Sequence, residues 1–198
     1  MQRLRARAWP LTAVSLLAFG CVHTASNEAA ATVRSYLSAR SHSAAISFLA
    51  PEYRLWFGRR SGAGIDRSSC AKMLEWDYAL NVRRQIRSIA VHGAEVTAQV
   101  HEDNDFSLLI GFTGWDSSST FTVDEGKITS QVYTPTGTSE WRPYLDAPLV
   151  WLREHHADAL ERIFPHGKLI QTAEAAREWV VLLREWCAAT GRPDPTRR

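Results

Sequence analysis

The sequence predicts an α+β fold, with helices segregated to one side of an antiparallel sheet. Three observations predict it. Apolar residues recur at helical spacing from residue 28 to about residue 80. Strict alternation takes over between residues 83 and 135, and helical spacing returns after residue 145. Blocks of helix and strand that do not interleave are the pattern of α+β layering rather than of a parallel α/β sheet.

The first helix is expected over Glu28 to Arg40, with Ala31, Val33, Tyr36 and Leu37 near one stripe. Ser41 or Ser43 is placed to cap a second helix carrying Ala45, Ile46, Phe48 and Leu49. Pro51 breaks or restarts that helix, and Tyr53, Leu55, Trp56 and Phe57 continue an aromatic stretch. "GRRSGAG" reads as a loop, after which Asp66 or Ser68 caps a third helix, "SSCAKMLEWDYAL".

About five strands follow. "RRQIRSIAV" is the first. "AEVTAQVHE" is the clearest, with Val96, Ala98 and Val100 inward and Glu95, Thr97 and Gln99 outward. "FSLLIGF" reads as a more fully buried strand. "SSSTFTVDEGKITSQVYTP" reads as a hairpin turning at Asp124-Glu125-Gly126, with Phe121 and Val123 on one face and Ile128 and Val132 continuing it. The last part, residues 145–190, is a helical extension packed on the same domain. "DAPLVWLREHHADALERIF" carries Leu149, Leu152 and Leu160. "TAEAAREWVVLLREWCAATG" places Ala176, Trp179, Val180, Leu183, Trp186 and Cys187 on one face, with Thr172 as N-cap and Gly191 and Pro193 as stop.

Residues 1–20 read as a signal segment rather than as part of the fold. Arg3, Arg5 and Arg7 precede an apolar run from Leu11 to Phe19 that is too short to span a bilayer. Ala18-Phe19-Gly20-Cys21 suits a cut before Cys21. It resembles a bacterial lipobox, with Ala18 where Leu is usual, and so implies lipidation of Cys21 and a lipid anchor in the cell envelope. Removing the three arginines takes the net charge from +2 to −1. No Lys/Arg cluster is long enough to read as a nucleic-acid surface, and Arg59-Arg60 and Arg83-Arg84 read as ordinary surface pairs. If Cys21 carries lipid, Cys70 and Cys187 remain as an even pair. They form either a disulfide or two buried thiols.

Three stretches, "TVRSYLSARSHSAAISFLAPEY", "GIDRSSCAKMLEWDYAL" and "TFTVDEGKITSQVY", resemble in order and spacing the nuclear transport factor 2-like superfamily, which includes ketosteroid isomerases and SnoaL-like polyketide cyclases. The resemblance covers residues 28–135. It implies a cone, in which a curved sheet wraps the helices and leaves an apolar cavity. Carried over without a gap, it puts the isomerases' oxyanion tyrosine on Tyr36, their general base on Phe57 and their second donor on Ser119. Phe57 accepts no proton, so isomerase chemistry is not expected. Trp56, Phe57, Trp76, Trp115, Ser119 and Phe121 join Tyr36 as candidate ligand contacts.

Other constellations are weaker. In "EWDY", Glu75 and Asp77 stand two apart on a helix, so only one faces the cavity; Asp77 is the candidate base. "HEDNDF" reads as a polar surface turn. "REHHADALE" offers His155 and Asp158 on one helix face, without metal-binding spacing. No nucleophile elbow or phosphate loop is present, and no metal or cofactor is expected. The favoured reading is an exported module that binds a small apolar molecule or an envelope protein. The first alternative is a lyase, cyclase or isomerase using Tyr36 and Asp77. The second is an interaction protein whose cone is plugged by Trp179, Leu183 and Trp186. The oligomeric state is left open between monomer and dimer. An ionisable side chain pointing into the cavity would favour the enzyme.

Overall fold

The computed structural model describes residues 18–137 and 140–197, with side chains from residue 27 onward. The expected signal segment lies outside the described residues except for its last three positions, and the side chain of Cys21 lies outside them too. Among the described residues, no helix is long and apolar enough to cross a membrane.

Helix α1 runs from Ala18 to Leu37 and buries Val33, Tyr36 and Leu37. Helix α2 is short, His42–Ser47, and is capped by Ser41. The chain then extends as strand β1, Leu49–Phe57, where the sequence reading has Leu49 in the second helix and, past Pro51, an aromatic stretch with no strand. The burial of Tyr53 and Leu55 with Arg54 exposed is strand alternation, and Pro51 stands near the strand's start, where a missing N–H is tolerated. Strand β2, Ile65–Asp66, leads into helix α3, Arg67–Ala79, whose N-cap Asp66 accepts a hydrogen bond from the Ser69 N–H at 2.8 Å. Strands β3 (Arg83–His92) and β4 (Glu95–Asp103) form the first hairpin.

"FSLLIGF" is not a strand. Asp105–Ile110 forms helix α4, started by a capping box in which Ser107 N–H donates to Asn104 Oδ1 (2.9 Å) and Asn104 N–H donates to Ser107 Oγ (3.1 Å). Gly111 ends the helix at φ +86°, a conformation glycine adopts without strain. Asn104 and Asp105 are buried, so "HEDNDF" is not a surface turn. Asn104→Ala is expected to cost about 1–2 kcal/mol, because it strips a buried cap. A urea titration checks this; an unchanged midpoint would mean that water replaces the cap.

Strands β5 (Trp115–Asp124) and β6 (Lys127–Pro135) form the second hairpin. The sheet has six strands, in the order β2-β1-β6-β5-β4-β3, and is antiparallel except where β1 runs parallel to β6. It is curved and does not close. Its concave face and helices α1–α3 enclose one core of Val33, Tyr53, Val96, Ala98, Phe121 and Ile128. Thr122 pairs with Ser130 but Val123 pairs with Ile128, so Thr129 is an extra residue in β6. That bulge breaks the expected alternation. Ile128 is buried, whereas beyond the bulge Gln131 and Tyr133 face in and Val132 pairs with outward Thr120.

The C-terminal extension builds a second core on the outside of α3 and α4. The expected long helix is two, α5 (Asp146–His155) and α6 (Ala157–Ile163), because His156 is non-helical. His155 therefore does not share a helix face with Asp158; its ring stacks on Trp151. Helix α7, Ala173–Ala189, has the expected cap, with Ala175 N–H donating to Thr172 Oγ1 at 3.2 Å. Trp179, Leu183 and Trp186 are buried against α3 and α4, with the Trp179 ring edge-on to Phe106 at 5.4 Å. Buried Asp105 ties the two parts together. It accepts from Arg83 (2.9 Å) and Asn81 (2.7 Å) and lies 3.6 Å from Arg184 of α7.

Candidate ligand cavity

The concave face of the sheet and helices α1 and α3 leave a cavity of about 300 Å³. Its apolar wall is Leu37 and Tyr36 of α1, Leu55 and Phe57 of β1, Cys70, Met73, Leu74 and Trp76 of α3, and Leu80, Val100, Phe106, Trp115 and Tyr133. Trp141, just before the C-terminal extension, and Leu169 and Gln171 within it complete the wall. The volume is at the lower end of the range for small-molecule sites.

The candidate residues divide. Tyr36, Phe57, Trp76, Asp77, Trp115 and Ser119 line the cavity. Trp56 does not, because neighbours on a strand point to opposite faces and Phe57 takes the inner one. The Trp56 indole instead packs beneath Gly64, where a Cβ would fall 2.7 Å from the ring, and its Nε1 donates to Gly62 O at 3.4 Å. Phe121 does not line the cavity either. It is fully buried behind the wall, edge-on to Tyr36 with ring centroids 6.0 Å apart. The position that resemblance gives to the isomerases' base is 53% exposed, so Phe57 stands at the rim, edge-on to Tyr133. Trp179, Leu183 and Trp186 are absent from the wall and lie in the second core, so these three residues do not plug the cavity.

A hydrogen-bonded row crosses one side of the wall. Tyr53 Oη donates to Gln131 Oε1 (2.9 Å), and Gln131 Nε2 donates to Ser119 Oγ (3.1 Å). Cys70 Sγ lies 4.0 Å from Tyr53 Oη, and burial pushes its thiol up to about 11. Cys70 belongs to the cone core, while Cys187, in the other core, donates to Leu109 O at 3.7 Å. Both cysteines are free, so no disulfide joins them.

The ionisable residues are where sequence reasoning fell short. Arg84 is not a surface residue. Its side chain is 9% exposed and turned into the cavity, and its Nε donates to Glu102 Oε2 at 2.6 Å. Its Nη2 stands 3.6 Å from Asp77 Oδ2. Burial opposes the Arg84 charge, but Glu102, Tyr36 and Asp77 outweigh it and hold the guanidinium protonated. Asp77 is pushed up to about 7, first by burial, then by the negative charge of Glu102, against the pull of Arg84. The 28% of its side chain that stays exposed faces the cavity. Burial also raises Tyr36 and Tyr133, so both hydroxyls stay protonated and can donate. The signal for Glu102 was present in β4, since it continues the inward series Val96, Ala98, Val100. Arg84 shares a face with Ile86 by the same count and pairs across the ladder with Glu102.

The fold and this cavity define an α+β cone protein with an internal, largely apolar cavity. That is the architecture which the resemblance to the nuclear transport factor 2-like superfamily implies. No protein-family model matches the chain, and no curated protein matches it. Similar solved structures include a protein of Xanthomonas campestris pv. campestris provisionally named a polyketide cyclase, at 22% identity over 62% of this chain and 99% of that one, with a TM-score of 0.45. Another, from Kribbella flavida, is provisionally named a ketosteroid isomerase, at 15% identity over 58% of this chain and 82% of that one, TM-score 0.47. A nuclear transport factor 2-like protein of unknown function from Mesorhizobium loti matches at 16% identity over 57% and 93%, TM-score 0.44. Likeness at this level carries no activity over to this chain.

Proposed function

We propose that the chain is an exported, lipid-anchored cavity protein that takes a small, largely apolar molecule into the cone. One observation carries the reading: a cavity of about 300 Å³, walled mainly by aromatic and aliphatic side chains, stays open beside the packed C-terminal helices. Desolvating an apolar ligand against that wall supplies the binding free energy. The neutral dye N-phenyl-1-naphthylamine should bind the purified chain and raise its melting temperature by mass action. Ser119→Phe, which fills the inner wall, should abolish that binding while the fold persists. Equal dye binding by both chains would overturn the reading. The anchor is tested separately: globomycin, which blocks lipoprotein processing, should make a larger precursor accumulate.

A second reading is proton-transfer chemistry in the same cavity, as in a lyase, cyclase or isomerase. It is favoured by Asp77, a carboxyl near 7 that faces an apolar space, with the Tyr36 hydroxyl on the same wall. Pairs of ionisable groups whose surroundings push them apart are the usual source of an acid and a base. Deuterium exchange at the α-carbon of cyclohexanone, followed by NMR, tests it. A working base should be worth about 10²–10⁴-fold and should vanish in Asp77→Asn. Exchange no faster than in buffer leaves binding alone.

A further inference from the structure

The cavity has a charge preference that its apolar wall does not reveal. Its charged side chains are two carboxylates, Asp77 and Glu102, against one guanidinium, Arg84. Glu102 takes the Arg84 Nε–H in a 2.6 Å bond. Asp77 gets only the 3.6 Å approach of Arg84 Nη2, which is too long for a hydrogen bond. Among the described residues, no other cation approaches the Asp77 carboxylate and no group donates a hydrogen bond to its oxygens. A cavity-facing carboxylate that its own protein leaves without a donor wants one from outside.

The rest of the wall fits the same kind of guest. Tyr36, Trp76, Phe106, Trp115, Tyr133 and Trp141 surround the space. Aromatic faces attract cations, and most strongly where water is excluded. An anionic guest would meet Asp77 and Glu102 unfavourably, and a neutral guest would leave the Asp77 charge uncompensated.

We propose that the guest is a monocation, a primary amine or small ammonium on an aromatic or otherwise apolar body, whose nitrogen donates to Asp77 while its body lies among the aromatic rings. This rests on the reading of the cone as a ligand cavity and specifies its guest. The titratable and charged groups near enough to Asp77 to act on it or feel its charge are Tyr36 of α1, Cys70 and Tyr78 of its own helix, Arg84 of β3, Glu102 of β4 and Tyr133 of β6. Only ionised Asp77 can hold an ammonium, so binding should release the Asp77 proton wherever that proton is still bound.

Calorimetry on the purified chain with three indoles of similar size tests this. The probes are tryptamine (cationic), tryptophol (a hydroxyl in place of the ammonium) and indole-3-acetate (anionic). At pH 8, tryptamine should bind about tenfold or more tighter than tryptophol, and indole-3-acetate should bind weakest. With Asp77 titrating at about 7, tryptamine affinity should fall about tenfold from pH 8 to pH 6 while tryptophol stays level. That comparison needs no substitution, so it stands even if a variant misfolds. Asp77→Asn should erase the preference for tryptamine over tryptophol. Tryptophol binding as tightly as tryptamine, or a flat pH response for tryptamine, would overturn the proposal. If the neutral dye still bound the unmodified chain, the cavity reading would survive that result. Failure of every indole and of the dye would overturn both.

Discussion

Arg84→Met is expected to lose about 3–5 kcal/mol of stability at pH 8, the cost of breaking a buried charge cluster from one side. Methionine keeps most of the arginine stem, so packing changes little and the loss reports the charge. Without the guanidinium, Asp77 and Glu102 face each other across an apolar space, and neither has a counter-charge close by. They can then escape only by binding protons. The folded chain would hold protons that the unfolded chain releases, so stability should fall as pH rises from about 4 toward 8. Urea unfolding at pH 5 and pH 8 measures both the loss and its slope, and adding Glu102→Gln should return part of what was lost. A loss below about 1 kcal/mol with no slope would mean that Arg84 is as solvated as its neighbour Arg83, which is 44% exposed on its side chain.

Much of this fold was legible because alternation and helical spacing are local signals. Strand β4 declares itself in Val96, Ala98 and Val100, and α7 in Trp179, Leu183 and Trp186, which its cap Thr172 places in register. The two misreadings have physical causes. "FSLLIGF" is apolar apart from Ser107 and Gly111, so periodicity cannot tell a buried strand from a buried helix, and the deciding mark was the capping box that Ser107 forms with Asn104. "PEYRLWF" follows a helix and carries a proline, yet its Tyr53–Leu55–Phe57 alternation is a strand that exists only because β6 offers it a ladder. A pairing 78 residues away in sequence, like that of Tyr53 with Gln131, leaves no local trace.

The site was less legible than the fold. Tyr36, Trp76 and Asp77 come from helices whose faces could be read, and they reach the cavity. Glu102 lies on a strand whose inner face had been identified and Arg84 on its ladder partner, whose face had not, and charged residues near strand ends default to solvent in any sequence reading. Only the concave sheet, which brings β3 and β4 opposite Asp77 of α3, turns two unremarkable charges into a cluster. The bulge at Thr129 is similarly silent in sequence, and it decides that Gln131 and Tyr133, not Val132, face the ligand space.

Asp77→Asn should stabilise the chain at pH 8 by about 2–4 kcal/mol, an effect of opposite sign to that of Arg84→Met. The folded chain holds the Asp77 carboxyl at about 7, far above the ordinary 3.8 of an exposed aspartate, mainly because burial penalises its charge. Well below its ordinary value of 3.8 the carboxyl is neutral in both states and contributes no difference. Between about 4 and 7 the unfolded chain has released this proton and the folded chain has not, so stability declines as pH rises. Above about 7 the folded chain carries the unwanted charge in full and the penalty levels off. Asparagine nearly matches the shape of aspartate and carries no charge, so the variant should lack that decline. Its stability advantage should be small at pH 4 and nearly complete by pH 8, as read from urea midpoints across the range. An advantage that is the same at pH 4 and pH 8 would mean that the amide gains from new hydrogen bonds and not from losing the charge. No advantage at either pH would mean that Arg84, at 3.6 Å, already compensates the carboxylate, and that Asp77 holds no charge in reserve for a ligand.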